Sequence, residues 1–181
     1  MQENTGLGAH MQLHSKESGQ AAIWAILGTL LLTMLVAGLV DLARLMEYRT
    51  WGYRIAESAA LGGLANSRDY EGYMTTGAIS LDAAVAYQDA VDTLQEALNQ
   101  RSDLTSITYD VRVHDSMTTA VYAGYPPVTH AGMVAGDWSP ERPAVGVYLE
   151  FSVQPVLYGW VNGNQPIPMH VFAAASLTQT H

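Results

Sequence analysis

The chain of 181 residues contains no cysteine, and its only lysine is Lys16. The absence of cysteine excludes disulfides, thiolate metal sites and a cysteine nucleophile. Positive charge is scarce as well: from Arg68 onward, four arginines stand against twelve acidic residues, a formal charge of −8. Binding to a nucleic-acid backbone needs clustered Lys and Arg, so we expect no nucleic-acid partner.

Charge is entirely absent from one long stretch, Ala21–Val40, whose most polar residues are Thr29 and Thr33. At about 1.5 Å rise per residue, a helix of this length spans roughly the hydrocarbon core of a bilayer. In lipid, every backbone polar group must be satisfied within the segment, which leaves few stable structures other than a helix. The stretch therefore predicts a single transmembrane helix surrounded by membrane lipid.

Small side chains recur at every fourth position of this predicted helix. They form a ridge consisting of Ala21, Ala25, Thr29, Thr33 and Ala37. Ridges of small residues let a second helix approach closely, so we interpret this one as a helix-packing face. The alternative is a lone lipid-embedded anchor in which small residues are merely tolerated.

Three segments follow from composition and periodicity. Residues 1–19 form a polar leader without helical or strand periodicity, which we expect to be disordered or cleaved. The helical pattern of residues 20–66 continues beyond the apolar run, and Gly62-Gly63 is its first plausible stop. Residues 67–181 are long enough for one compact domain.

The pattern within residues 67–181 predicts an α+β domain. A polar loop over 67–77 precedes a second helix from Ser80 to about Gln100. Strands are expected over 105–114, 118–125, 145–153 and 167–177, the last two as an antiparallel hairpin. The predicted fold is thus a long N-terminal transmembrane helix that continues into a domain with a second helix on an antiparallel sheet of about four strands.

The second helix has an apolar face with helical spacing. We expect this face to be buried, and it consists of Leu81, Ala84, Val85, Val91, Leu94 and Leu98.

The sequence offers no motif for catalysis or metal binding. Ser116 near His114 and Ser139 near His130 lack any nucleophile-elbow context. The glycines follow no phosphate-loop pattern, and the scattered His and Asp residues lack the spacing of metal ligands. We therefore expect no enzymatic activity, no cofactor and no metal.

The order of these features resembles the TadE/TadG-like minor pilins of tight-adherence (Tad) pilus systems. The match covers residues 19–64: Gly19-Gln20, the apolar run, Asp41 with Arg44, and the Ala-Glu-Ser-Ala-Ala stretch at 56–60. The resemblance implies a prepilin peptidase that cleaves after Gly19, so that Gln20 becomes the mature N-terminus. It also implies that other pilin subunits and the Tad assembly machinery are partners, and that the domain reaches the cell surface or the pilus.

One position departs from the family pattern. Pilins usually carry Glu at the fifth mature position, where this chain has Trp24. Indole cannot form the ion pair that the carboxylate makes with a neighbouring N-terminal amine, so the departure favours a minor subunit that initiates, caps or stabilises the pilus. The resemblance also implies that the domain lies outside the cytoplasm, because the peptidase acts on the cytoplasmic side. Charge counting alone predicts the reverse orientation, because three arginines follow the apolar run and a single lysine precedes it.

A second function class remains open from the sequence. The chain could be a single-pass anchored binding or adhesion domain that is not assembled into a filament. Its contacts would then be the hairpin tip Tyr158–Trp160 and the loop that carries Trp138, although aromatic side chains in loops more often anchor the loop against a sheet.

Overall fold

A computed structural model describes residues 9–129, 134–156, 159 and 163–177, with side chains from residue 19 onward. The helices are α1 (Ala9–Ala65), α2 (Tyr70–Thr76) and α3 (Ala83–Asn99). The strands are β1 (Leu104–His114), β2 (Tyr122–Ala123), β3 (Asp137–Trp138), β4 (Ala144–Val153) and β5 (Ile167–Ser176). The chain divides into two compact units, Met1–Ala43 and Arg44–His181.

Within the first unit, the described backbone is helical from Ala9. The expectation of a leader without helix is therefore wrong for residues 9–18. This segment contains no proline, and several of its residues, such as Met11, Leu13 and Lys16, are good helix formers. Gly19 does not end the helix, because a single glycine costs only about 1 kcal/mol in a helix interior.

The second unit is built on a three-stranded antiparallel sheet in the order β1-β4-β5. β4 is the central strand, and its partnership with β5 confirms the predicted antiparallel hairpin, for example in the pair Leu149↔Val171. The predicted second strand is shorter than expected: only Tyr122–Ala123 is extended, and it pairs with β3 in a separate ladder. Gly124, with φ of 74°, turns the chain there, and the prolines at 126 and 127 cannot donate ladder hydrogen bonds.

The second part of α1 packs on one face of the sheet. Phe151 points at this helix, where its ring meets Trp51 edge-on with centroids 5.7 Å apart. Gly52 and Gly63 permit the close approach. A Cβ added at Gly52 would lie 2.9 Å from the Phe151 ring, and one added at Gly63 would lie 2.6 Å from the Ala86 carbonyl oxygen.

The helix α3 begins at Ala83 rather than Ser80, because Asp82 is its N-cap. The Asp82 carboxylate accepts hydrogen bonds from the backbone N–H groups of Ala84 and Val85 at 3.0 and 3.2 Å. Both capped residues are exposed, which corrects their predicted burial. The buried residues of α3 are Ala86, Ala90, Val91, Leu94 and Leu98. Leu81 is buried as predicted, but it precedes the helix and forms a bridge with Arg68.

The segment expected to be a polar loop contains α2. Asp69 caps its first turn by accepting from the Gly72 N–H at 2.8 Å, and Gly77 ends it in the left-handed conformation. No residue of α2 is buried. The helix is therefore held by its caps rather than by packing.

The other face of the sheet is covered by aromatic side chains from the segment between β1 and β4. The Tyr125 hydroxyl bonds to the carbonyl oxygens of Asp110 and Gly146 at 3.0 and 2.8 Å, and the Arg112 guanidinium lies 5.6 Å from its ring centroid. The Trp138 ring lies over Gly146, where an added Cβ would be 3.2 Å away. β4 is consequently buried on both faces from Ala144 to Leu149.

Burial of this second face changes the acidity of its hydroxyls. Desolvation, together with the neighbouring Glu150 carboxylate, raises the pKa of Tyr148 to about 12. The Tyr148 hydroxyl therefore stays protonated and donates to Glu150 at 3.1 Å.

We expect Gly63→Ala to lower the free energy of unfolding by about 1–2 kcal/mol, because the new methyl group must displace the backbone of α3. The matched control is Gly28→Ala in the same helix, where an added Cβ meets nothing within 4 Å. The control should be neutral or stabilising, since alanine favours helix. Thermal unfolding of both variants in detergent measures the difference, and equal stability of the two would contradict the packing of α1 on α3.

Candidate functional site

The long apolar surface of α1 is the most distinctive feature of the chain. Among the residues that the structure describes, one helix is long and apolar enough to cross a membrane, the Gly19–Ala65 part of α1. Its large apolar side chains are exposed to between 46% and 68% from Ile23 to Leu42, and Trp24 is the most exposed of them. Such a surface is unfavourable in water, so this segment needs lipid or protein around it.

The predicted packing ridge lies on this segment. Four of its five residues are exposed, and Ala37 is half-buried. The Thr33 hydroxyl donates to the Thr29 carbonyl oxygen, and the Thr29 hydroxyl donates to the Ala25 carbonyl oxygen, both at 2.8 Å. These hydroxyls need no partner from another helix, so a second helix would be held here by close approach rather than by hydrogen bonds. The packing role of the ridge stays a prediction.

The predicted processing residues, Gly19 and Gln20, are exposed and helical. An added Cβ at Gly19 would meet nothing within 4 Å. The bond between the two residues is thus unobstructed by the described part of the chain.

The two charged residues that carry the resemblance differ in their surroundings. Asp41 is only 5% exposed. The Arg44 guanidinium donates to the Tyr48 hydroxyl at 3.4 Å and lies 5.9 Å from the centroid of its ring. Arg44 is therefore oriented by an aromatic residue one turn further along α1.

Tyr48 belongs to a group of four side chains, the Arg101 cluster, which consists of Tyr48, Trp51, Arg101 and Asp103. The Arg101 guanidinium lies 5.0 and 5.1 Å from the ring centroids of Tyr48 and Trp51. It also pairs with Asp103 at 3.3 Å, while the Tyr48 hydroxyl donates to the same carboxylate. The cluster fastens the end of α3 to α1 at the beginning of the second unit.

Electrostatics within the Arg101 cluster favour the ionised carboxylate. The hydrogen bond from Tyr48, aided by the Arg101 charge, holds the pKa of Asp103 below its usual range. This cluster is not predictable from the sequence, because Tyr48 and Asp103 are 55 residues apart. No local pattern links them.

Two of the residues considered for catalysis, His114 and Ser116, have hydrogen-bond partners of their own. The His114 ring Nε2 and the Ser116 hydroxyl both bond to Thr118, through its carbonyl and its hydroxyl oxygen respectively. Within the ranges that the structure describes, no three His, Asp or Glu side chains are close enough to hold a metal ion. His130 lies outside the described residues.

Of the three aromatic residues considered as ligand contacts, the described part of the chain includes only Trp138. Trp138 stacks on Tyr122 with ring centroids 5.0 Å apart and meets Phe172 at 6.3 Å. It anchors the covering segment to the sheet rather than standing free at a loop tip. Tyr158 and Trp160 lie outside the described residues.

We expect Tyr48→Phe to destabilise the protein by about 1 kcal/mol at neutral pH, because it removes one hydrogen bond to a partly exposed carboxylate. Since the folded pKa of Asp103 is depressed, this stabilisation is present above the unfolded pKa and fades as the pH falls below about 4. The melting temperatures of wild type and variant in detergent should therefore converge in acid.

Tyr109→Phe is the matched control, because the Tyr109 hydroxyl accepts its hydrogen bond from the uncharged Gln95 amide, at 2.8 Å. Its effect should not depend on pH between neutrality and acid. A Tyr48→Phe effect that is equally independent of pH would contradict the assignment.

Comparison with known proteins identifies no relative: no family model, no curated protein and no solved structure matches this chain.

Proposed function

We propose that the protein is a structural minor pilin of a Tad-type pilus, anchored in the membrane before assembly. The observation that carries the proposal is that one part of α1 is exposed and another part is buried. Its large apolar side chains from Ile23 to Leu42 are exposed. In the same helix Tyr48, Ala56, Ala59 and Ala60 are buried in the core of an antiparallel α+β domain. A helix used in this way can anchor the subunit in lipid and later join other helices.

Two further features support an assembled rather than a solitary anchor. The ridge at every fourth position offers a smooth face of small side chains whose hydroxyls are already satisfied. The domain also closes its own core, since the described members of the main buried cluster all lie between Tyr48 and Val171. The exposed segment is therefore free to exchange lipid for neighbouring subunits.

Trp24 supports a minor position in the pilus. Its side chain is 68% exposed, and its indole N–H can only donate, so it cannot accept a hydrogen bond from the ammonium group of a neighbouring N-terminus. Its ring face offers a cation–π contact of about 0.5–2 kcal/mol, which is weaker than a buried ion pair with good geometry. A subunit of this kind suits the start or the end of a filament better than its repeated shaft.

Processing tests the proposal directly. When the full chain is expressed with a prepilin peptidase and the Tad assembly machinery, intact mass should show a mature protein that begins at Gln20. Gly19→Val should block this maturation, because it changes the residue before the scissile bond. Gly28→Val is the matched control, since both glycines have open space around them, and it should still be processed. A native mature protein that began at Met1 would remove the main support for the pilin assignment.

Stoichiometry tests the minor position separately. Quantitative mass spectrometry of purified pili should find this subunit at far less than one copy per axial repeat, because Trp24 cannot supply the repeated ion pair. One copy per repeat throughout the filament would overturn the minor-subunit assignment while leaving the pilin assignment intact.

A further inference from the structure

The two edges of the sheet differ in how they resist further pairing. β1 and β5 are its outer strands, on either side of β4. The register of β1 is interrupted around Ser106, whose φ is 52°, and the strand carries Asp110 and Arg112 as an ion pair at 3.0 Å. β5 instead pairs with β4 without interruption over Ile167–Ser176, and its only ionisable side chain is that of His170. Bulges and charged side chains discourage the addition of a strand, so β5 is the less protected edge.

The backbone of β5 presents alternate residues to the outside of the sheet. Antiparallel partners alternate between pairs that exchange hydrogen bonds and pairs that do not. The Leu177 N–H donates to the Pro143 carbonyl oxygen at 2.9 Å in the same register, so the odd-numbered residues of β5 bond to β4 and the even-numbered ones point away from it. Pro168 has no N–H, and the outward N–H groups therefore belong to His170, Phe172, Ala174 and Ser176. In the part of the chain that the structure describes, no backbone hydrogen bond other than those of the ladder with β4 involves β5.

Two grooves lie along this outward backbone. One has a volume of about 340 Å³ and is lined on the β5 side by Ala174, Ala175 and Ser176. The other has a volume of about 320 Å³ and is lined there by His170 and Phe172. The segment between β1 and β4 borders both grooves through Trp138 and Ser139. Every residue with an outward N–H thus lines one of the grooves, which leave an extended chain room to approach.

The charge around these grooves selects among extended chains. Asp137 and Glu141 line the grooves against a single arginine, Arg142. The chain from Arg68 onward also carries a formal charge of −8. An acidic segment is therefore repelled from this edge, whereas a segment with lysine or arginine is attracted to it.

We propose that the outer edge of β5 binds an extended segment of a partner protein, which adds a fourth strand to the sheet. The main chain of the segment pairs with the outward groups of β5, and its alternate side chains enter the two grooves. Uncharged side chains suit the pairing with β5, and flanking lysine or arginine suits the acidic surroundings. A second copy of β5 matches less well, because it contains no lysine or arginine and belongs to an equally acidic domain. The inference does not depend on pilus assembly, so either can fail without the other.

A short synthetic peptide of alternating Val and Thr, flanked by lysines at both ends, serves as the probe. It is titrated into the full chain in detergent, and amide hydrogen exchange is followed residue by residue. The peptide should slow exchange at the four outward N–H groups, whereas the amides of Val171, Ala173 and Ala175 should change little because they already bond to β4. The same peptide with glutamates in place of the lysines should bind more weakly.

Ala174→Pro tests the edge itself. Proline removes an outward N–H and leaves the ladder with β4 intact, because proline is tolerated on edge strands whose N–H faces solvent. We expect the lysine-flanked peptide to bind this variant about tenfold more weakly, the effect of losing one hydrogen bond and close approach. Ala174→Ser is the matched control, since it keeps the N–H and should bind the peptide as the wild type does.

Undiminished binding by Ala174→Pro, or unchanged exchange at the outward amides of the wild type, would overturn the proposal. The exchange pattern of the wild type decides the question even if the proline variant does not fold. Equal binding of the glutamate-flanked peptide would contradict the charge preference. Self-association without peptide that slows exchange at the same amides would assign the edge to a second copy and overturn the choice of partner.

Discussion

The structure depends on one constraint: the first helix carries more apolar surface than its own domain covers. Burial of apolar surface contributes about 25 cal/mol per Å², so leaving large side chains half exposed along several turns is costly in water. The main core of the second unit draws its described members from Tyr48 onward. The apolar segment therefore needs lipid or other proteins around its exposed side chains.

The domain keeps its fold through contacts that leave little room for adjustment. Gly52 and Gly63 bring α1 against the Phe151 ring and the α3 backbone, at separations where a methyl group would not fit. The Arg101 cluster adds a polar fastening at the other end of α3. Together these contacts fix the buried part of α1 against the sheet and against α3.

Much of this fold can be predicted from periodicity, and the failures have physical causes. Long regular elements such as β4, β5 and the middle of α3 are visible because their apolar residues recur at fixed intervals over ten residues or more. β2 and β3 have two residues each, which is too short for any period to show. The seven residues of α2 carry no buried face, although Asp69 and Gly77 are readable caps. Val85 has the right spacing but lies in the first, exposed turn of its helix.

In the candidate site, too, some features are predictable from the sequence and others are not. Composition identifies the apolar segment, and the four-residue spacing identifies its ridge of small residues, because both lie within one short stretch of the sequence. The Arg101 cluster joins Tyr48 of α1 to Asp103, which lies 55 residues further along the chain. Such juxtapositions depend on how the sheet and helices pack, and no local pattern encodes them.

The two threonines of the apolar segment have a further consequence. Their hydroxyl protons are donated to carbonyl oxygens one turn earlier in the same helix, so the segment carries its hydrogen bonds with it. A side chain that relied on an outside partner would have to break that bond whenever the surroundings changed. Because these hydroxyls need no outside partner, a change in what surrounds this helix breaks neither of their hydrogen bonds.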